Sequence, residues 1–156
     1  MVATETKIDQ PIGTPALVQK VSPSTDDWTA AGVDRYSKRL RRPWNVEWVF
    51  LQYSAQNGAT ARQDESERIL NKLADTDCVI LLDERGKLFG SPALSRELSI
   101  QLDTSRPVVL VIGGAFGVTD ALYKRADVVW SLSPLVFPHQ LVRLLAHEMG
   151  HALELE

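Results

Sequence analysis

Two short runs constrain the fold more than anything else in the chain. Residues 78–82 read Cys-Val-Ile-Leu-Leu and residues 108–112 read Val-Val-Leu-Val-Ile. Neither alternates polar with apolar, so neither suits a strand with one wet face. A continuous apolar run of five, rich in β-branched residues, predicts a strand covered on both faces. Covered strands need helices above and below. The intervening sequence provides helical patterns, among them Leu94, Leu98 and Leu102 after Ser91-Pro92, a cap and first-turn proline. Strands alternating with helices predict an α/β fold with a parallel-rich sheet flanked by helices.

Further elements follow from the same reading. Residues 16–21 and the β-rich stretch 46–53 are expected strands. Asp26 or Asp27 is placed to cap a helix running to about Leu40, which Pro43 stops. Asn57-Gly58 marks a loop before a polar helix that ends in Ile69, Leu70 and Leu73. Thr119 caps a short helix, 128–130 forms a last strand, and a final helix starts near Pro138. Residues 1–15 lack apolar periodicity and are read as a flexible leader, leaving 16–156 as one domain.

The chain has 156 residues and a net charge of -3, which argues against a wholly polycationic nucleic-acid binder. No run of 18 apolar residues suggests a membrane span. The single cysteine, Cys78, fits a reducing, cytoplasmic setting. Basic residues do cluster locally. Arg35, Lys38, Arg39, Arg41 and Arg42 fall within eight positions, followed by Trp44 and Trp48. Cations beside aromatics can hold phosphates and stack bases, or they can form a solvated helix end.

In an open α/β sheet, ligands bind beyond the carboxyl ends of the strands. Three loops are expected there: 82–86 (Leu-Asp-Glu-Arg-Gly), 113–117 (Gly-Gly-Ala-Phe-Gly) and 131–137 (Ser-Leu-Ser-Pro-Leu-Val-Phe). Glycine at a strand end admits a ligand close to the backbone. The second loop is neither a dinucleotide fingerprint nor a Walker loop. Alone, it reads first as a tight strand-to-helix turn.

Taken in order, the three loops resemble the RlmH family of SPOUT-class methyltransferases. The matching segments are 79–86, 109–117 and 130–143, the last running from Trp-Ser-Leu-Ser through Pro-His-Gln-Leu-Val-Arg. The stretch 27–40, ending Tyr-Ser-Lys-Arg-Leu, also looks like the family's first helix. This resemblance implies a C-terminal trefoil knot, a homodimer, and S-adenosylmethionine as cofactor. It implies methyl transfer to large-subunit (23S) ribosomal RNA, at N3 of a pseudouridine. Carried over by position, the cofactor contacts are Leu82, Gly113, Gly114, Gly117, Leu132, Ser133, Pro134, Leu135, Val136 and Phe137. His139, Arg143 and Glu148 are the polar groups expected near the reacting base. In a dimer, the basic cluster Arg35–Arg42 would lie beside the partner's cofactor site. The family continues into a proline-tyrosine-histidine tail. The present sequence ends at Glu156 without those residues, so it is read as a diverged or C-terminally shortened member.

A second motif competes. His147-Glu148-Met149-Gly150-His151 fits H-E-x-x-H, in which two histidines one turn apart can grip zinc while the glutamate acts as base. Against a zinc peptidase, a third ligand is missing. If His139 shares the helix, it lies about 12 Å up the axis, and Arg143 places a fixed cation one turn from His147. The alternatives are a peptidase using His147, Glu148 and His151, or a non-catalytic relic that binds RNA or cofactor.

Overall fold

The computed structural model describes residues 15–17, 29–39, 49, 51–52, 54–104, 106–138, 141–142 and 144–146. Within them, four strands form one sheet in the order β1-β3-β2-β4, every neighbouring pair parallel. They are β1 (Pro15–Leu17), β2 (Cys78–Leu88), β3 (Val108–Ile112) and β4 (Val128–Ser131). The helices are α1 (Ala30–Ser37), α2 (Gly58–Leu70), α3 (Ser91–Asp103) and α4 (Asp120–Arg125).

The two apolar runs sit at the centre as a matched pair, Cys78 opposite Val108 through Leu82 opposite Ile112. All ten residues are buried. Their side chains divide by parity. Cys78, Ile80, Leu82, Val108, Leu110 and Ile112 face one layer, where Leu94 and Leu98 of α3 and Ala146 cover them. Val79, Leu81, Val109 and Val111 face the other, beneath Ile69 of α2, Val118 and Leu122 of α4. Each such side chain contributes roughly 1.5–3 kcal/mol by leaving water.

The connectivity explains the layers. After α3 the chain enters β3 on one side of β2. After α4 it returns to the opposite side as β4. Parallel crossovers keep one hand, so two crossovers in opposite directions put their helices on opposite faces.

Several boundaries differ from the sequence expectation. The leader was expected to reach residue 15, yet Pro15 already pairs with Val108. Proline lacks an N–H, which is tolerable at the first residue of an edge strand. Gly90, rather than Ser91, takes the cap position of α3, its carbonyl accepting from the Ala93 and Leu94 N–H groups. Thr119 does cap α4, its Oγ1 accepting from the Leu122 N–H at 3.4 Å. Of the strand expected at 46–53, the described residues Val49, Leu51 and Gln52 lie outside every strand. Leu51 instead packs on the α2–α4 layer, and the Gln52 carbonyl accepts from Arg68 at 2.7 Å. Asp26, Asp27 and the end of the first helix at Leu40 lie outside the described residues. The expected final helix is present at 141–142 and 144–146, opened by Leu141 and Val142 N–H groups that donate to the Pro138 carbonyl.

Candidate functional site

A cavity of about 830 Å3 lies beyond the carboxyl ends of β2, β3 and β4. All three loops singled out in the sequence line it. The volume falls within the range of small-molecule and cofactor sites.

The first loop was read as a segment that ends a strand. It is instead an excursion within β2: Leu82 pairs with Trp130, and Lys87 pairs with Trp130 again. Residues 83–86 therefore leave the sheet and return to the same rung. Gly86 makes the return possible. A Cβ there would stand 2.7 Å from the Trp130 carbonyl carbon and the Val129 oxygen, both backbone atoms that cannot step aside. Asp83 holds the excursion together by accepting from the Arg85 N–H at 2.9 Å and from its Nε at 2.8 Å. The Asp83 hydrogen bond raises the Arg85 guanidinium above its ordinary value. Arg85 also lies 4.8 Å from the Tyr123 ring centroid, and the Tyr123 hydroxyl donates to the Arg85 carbonyl at 3.3 Å.

The second loop turns tightly. The Gly117 N–H donates to the Gly114 carbonyl at 3.1 Å. Gly117 has φ +75°, a conformation that strains any residue with a Cβ. At Gly113 a Cβ would meet Val118 Cγ1 at 2.7 Å. In the third loop, Ser131 Oγ donates to the Ser133 carbonyl at 2.9 Å, and Ser133 Oγ accepts from the Leu135 N–H at 3.0 Å. These local bonds bend the chain sharply just past β4. Leu135 and Val136 are left 67% and 77% exposed, a high value for apolar side chains.

The structure brings together nine of the ten positions carried over as cofactor contacts. Leu82, Gly113, Gly114, Gly117, Leu132, Ser133, Leu135, Val136 and Phe137 all line the cavity, while Pro134 is exposed and does not. A proline that shapes the outer bend of a loop need not face what the loop encloses. Five apolar residues outside the three loops complete the wall: Ile112, Val118, Trp130, Pro138 and Val142. Trp130 also packs in the α3 layer, 4% exposed. Arg62 of α2, twenty residues before the first loop, also reaches the cavity. Nothing in its sequence context marks it.

Of the expected RNA-binding cluster, Arg35, Lys38 and Arg39 are described and exposed at the end of α1. Lys38 pairs with Asp34 at 2.6 Å, and Arg39 lies over the Tyr36 ring. Arg41 and Arg42 lie outside the described residues, as do His139, Arg143, His147, Glu148 and His151. Among the described residues no group of His, Cys, Asp and Glu is placed to hold a metal, and no helix is long and apolar enough to cross a membrane.

The comparisons with known proteins agree on one lineage. A family described as "Predicted SPOUT methyltransferase" matches residues 16–149. Ribosomal RNA large subunit methyltransferase H from Thioalkalivibrio sulfidiphilus is 38% identical over 125 residues, covering 78% of this chain and 80% of that protein. The namesake from Alkalilimnicola ehrlichii is 40% identical over 125 residues, with the same coverage. The chain belongs to the RlmH family of SPOUT methyltransferases. An AdoMet complex of the SpoU methyltransferase AviRb from Streptomyces viridochromogenes aligns at TM-score 0.47 and 9% identity, covering 96% of this chain and 60% of that one. That likeness is too remote to bear on the assignment. The SPOUT match runs through His147, Glu148 and Met149, the first three residues of the H-E-x-x-H motif, and the peptidase reading is not favoured.

The cavity fits the cofactor of an RlmH methyltransferase. Leu82, Leu132 and Leu135 provide apolar faces for a flat ring. The glycine turn presents backbone at Gly113 and Gly114 where no Cβ intervenes.

Proposed function

We propose that this chain transfers a methyl group from S-adenosylmethionine to large-subunit (23S) ribosomal RNA, at N3 of a pseudouridine. One observation supports this above the rest: the three loops expected to hold the cofactor line a single cavity at the carboxyl end of the sheet. Bound there, the cofactor's sulfonium supplies an electrophilic methyl group. The chain's residues have a different task, which is to position and to desolvate. Leu82, Leu132, Leu135 and Phe137 would bury the ring. Backbone groups of 113–117 and 132–136 would take up its polar edge.

The N3 proton must leave as the N3 lone pair takes the methyl group. N3 of a pseudouridine is acidic enough that orientation and modest help suffice. His139, Arg143 and Glu148 are proposed for that help. Pro138 and Val142, which bracket His139, both line the cavity, and this supports placing the segment against the reacting base. The reading also includes a homodimer, a trefoil-knotted C-terminal part and a cytoplasmic location. For the knot, the supporting feature is the path after β4. The chain bends through 131–137 and then packs Val142 and Ala146 back onto the α3 layer, beside Leu82.

The deciding experiment is calorimetry with S-adenosylmethionine, paired with mass spectrometry of 23S ribosomal RNA after incubation with ribosomes and cofactor. Saturable binding and a gain of one methyl group are expected. No binding at millimolar cofactor would overturn the reading. Binding without methylation would favour the non-catalytic relic.

A further inference from the structure

The cavity's charged groups are not equivalent. Asp83 and Arg85 satisfy each other. Glu84 is exposed on the same excursion. Arg62 is different: it lies in a helix outside the three loops, is exposed, and meets no hydrogen-bond or ion-pair partner among the described residues.

Its placement follows from α2. Ser66, one turn further along, is buried, and its Oγ accepts from the Thr119 N–H at 3.0 Å. That bond fixes this face of α2 against the segment leaving the glycine turn. Positions i and i+4 share a face, so Arg62 projects toward the turn's open side. Three residues before Thr119 stands Phe116, an aromatic ring left 41% exposed at the cavity edge. A planar guanidinium suits a phosphate, and an exposed ring offers a stacking face to any base. The other cation lining the cavity, Arg85, is already paired with Asp83.

We propose that Arg62 and Phe116 form a nucleotide-docking subsite at the mouth of the cavity. The guanidinium would hold a backbone phosphate of the RNA strand, and the ring would stack on a base beside the methylated one. Glu84, which also lines the cavity, would repel a phosphate beside it and so favour one path for the strand. The proposal rests on the RNA-methyltransferase reading but concerns RNA rather than cofactor. It adds a contact supplied by the same subunit that holds the methyl donor, separate from the α1 cluster.

The test uses the full chain and a fluorescently labelled single-stranded oligouridylate, with binding followed by anisotropy at several salt concentrations. Arg62→Gln is expected to weaken binding about tenfold and to make the log–log salt dependence shallower by about 0.7, the signature of one lost phosphate contact on a single strand. Phe116→Ala is expected to weaken binding about tenfold with no change in that slope, and Phe116→Tyr to restore it. Calorimetry should give Arg62→Gln, which lies outside the cofactor loops, wild-type affinity for S-adenosylmethionine. On ribosomes, KM of Arg62→Gln for the RNA substrate should rise while kcat holds. Loss of cofactor affinity in Arg62→Gln would assign the cation to the cofactor and overturn the proposal, as would oligonucleotide binding that neither substitution alters. If wild-type ribosomes gain no methyl group while the oligonucleotide results hold, the methyltransferase reading fails and the docking subsite stands.

Discussion

The two ends of the sheet are built on opposite principles. At the end where β2 and β3 begin, backbone groups are tied by charged side chains. Asp127 Oδ2 accepts from the Val79 N–H at 2.8 Å, and the Asp127 N–H donates back to the Val79 carbonyl at 2.8 Å. Arg106 and Arg125 both reach Asp127, and each also donates to the Asp77 carbonyl. At the other end the chain uses glycine, leaves apolar residues exposed and encloses a cavity. Stability is concentrated where no ligand is expected, and the end that must admit substrate is left open. A rigid base can thus carry loops whose conformation is costly on its own.

The open end of the sheet is most sensitive at Gly86. Replacing it with valine forces a side chain into the backbone of Val129 and Trp130. The excursion must then shift by an ångström or more, and cofactor affinity should fall about 100-fold. Calorimetry with S-adenosylmethionine measures this, with circular dichroism as a check that the helices persist. Unchanged affinity would show that the excursion does not shape the site.

The opposite end should respond in the opposite sense. Asp127→Ala orphans the buried Val79 N–H and strips two arginines of a partner. The expected loss is about 2 kcal/mol by denaturant titration, with cofactor affinity of the folded protein unaltered. The same carboxylate makes a pH prediction. Burial pushes it up, but the Val79 N–H, Arg106 and Arg125 outweigh burial and hold it below its ordinary value. Its contribution is therefore complete above the unfolded carboxylate pKa of about 4. It is lost as pH falls through the lower folded value. Asp127→Asn should flatten the stability profile in that acidic window alone, which a titration between about pH 5 and pH 2 would reveal.

Two smaller effects sharpen the contrast. Gly117→Ala places a Cβ at φ +75° and should cost about 1–2 kcal/mol, with the loss also visible in cofactor binding because the strained turn lines the cavity. Tyr123→Phe removes a long hydrogen bond to the Arg85 carbonyl and should cost only about 0.5 kcal/mol. A larger effect on cofactor affinity than on stability would mean that Tyr123 positions the excursion rather than merely supporting α4.

Sequence reading recovered the parts set by local chemistry. Uninterrupted apolar runs marked β2 and β3 because burial on both faces leaves no alternation. Thr119 announced a helix start, and three glycine- or serine-bearing loops announced the cavity. What escaped depends on distance through the fold. Asp-Glu-Arg-Gly reads as a plain loop, since only the opposing Trp130 reveals that the strand resumes at Lys87. Arg62 is one of two arginines on a polar helix until Ser66 anchors its face to Thr119. Asp127 and Val79 are 48 positions apart, and no local pattern links them.

The double pairing of Trp130 with Leu82 and Lys87 has a consequence for variation across the family. Both feet of the excursion stand on one rung, so the sheet does not register how long the excursion is. Residues can be added or exchanged between those feet without shifting either strand, provided a glycine closes the return. The wall of the cavity formed by 83–86 is thereby uncoupled from the core. Change there can retune what the site accepts while the fold beneath it stays fixed.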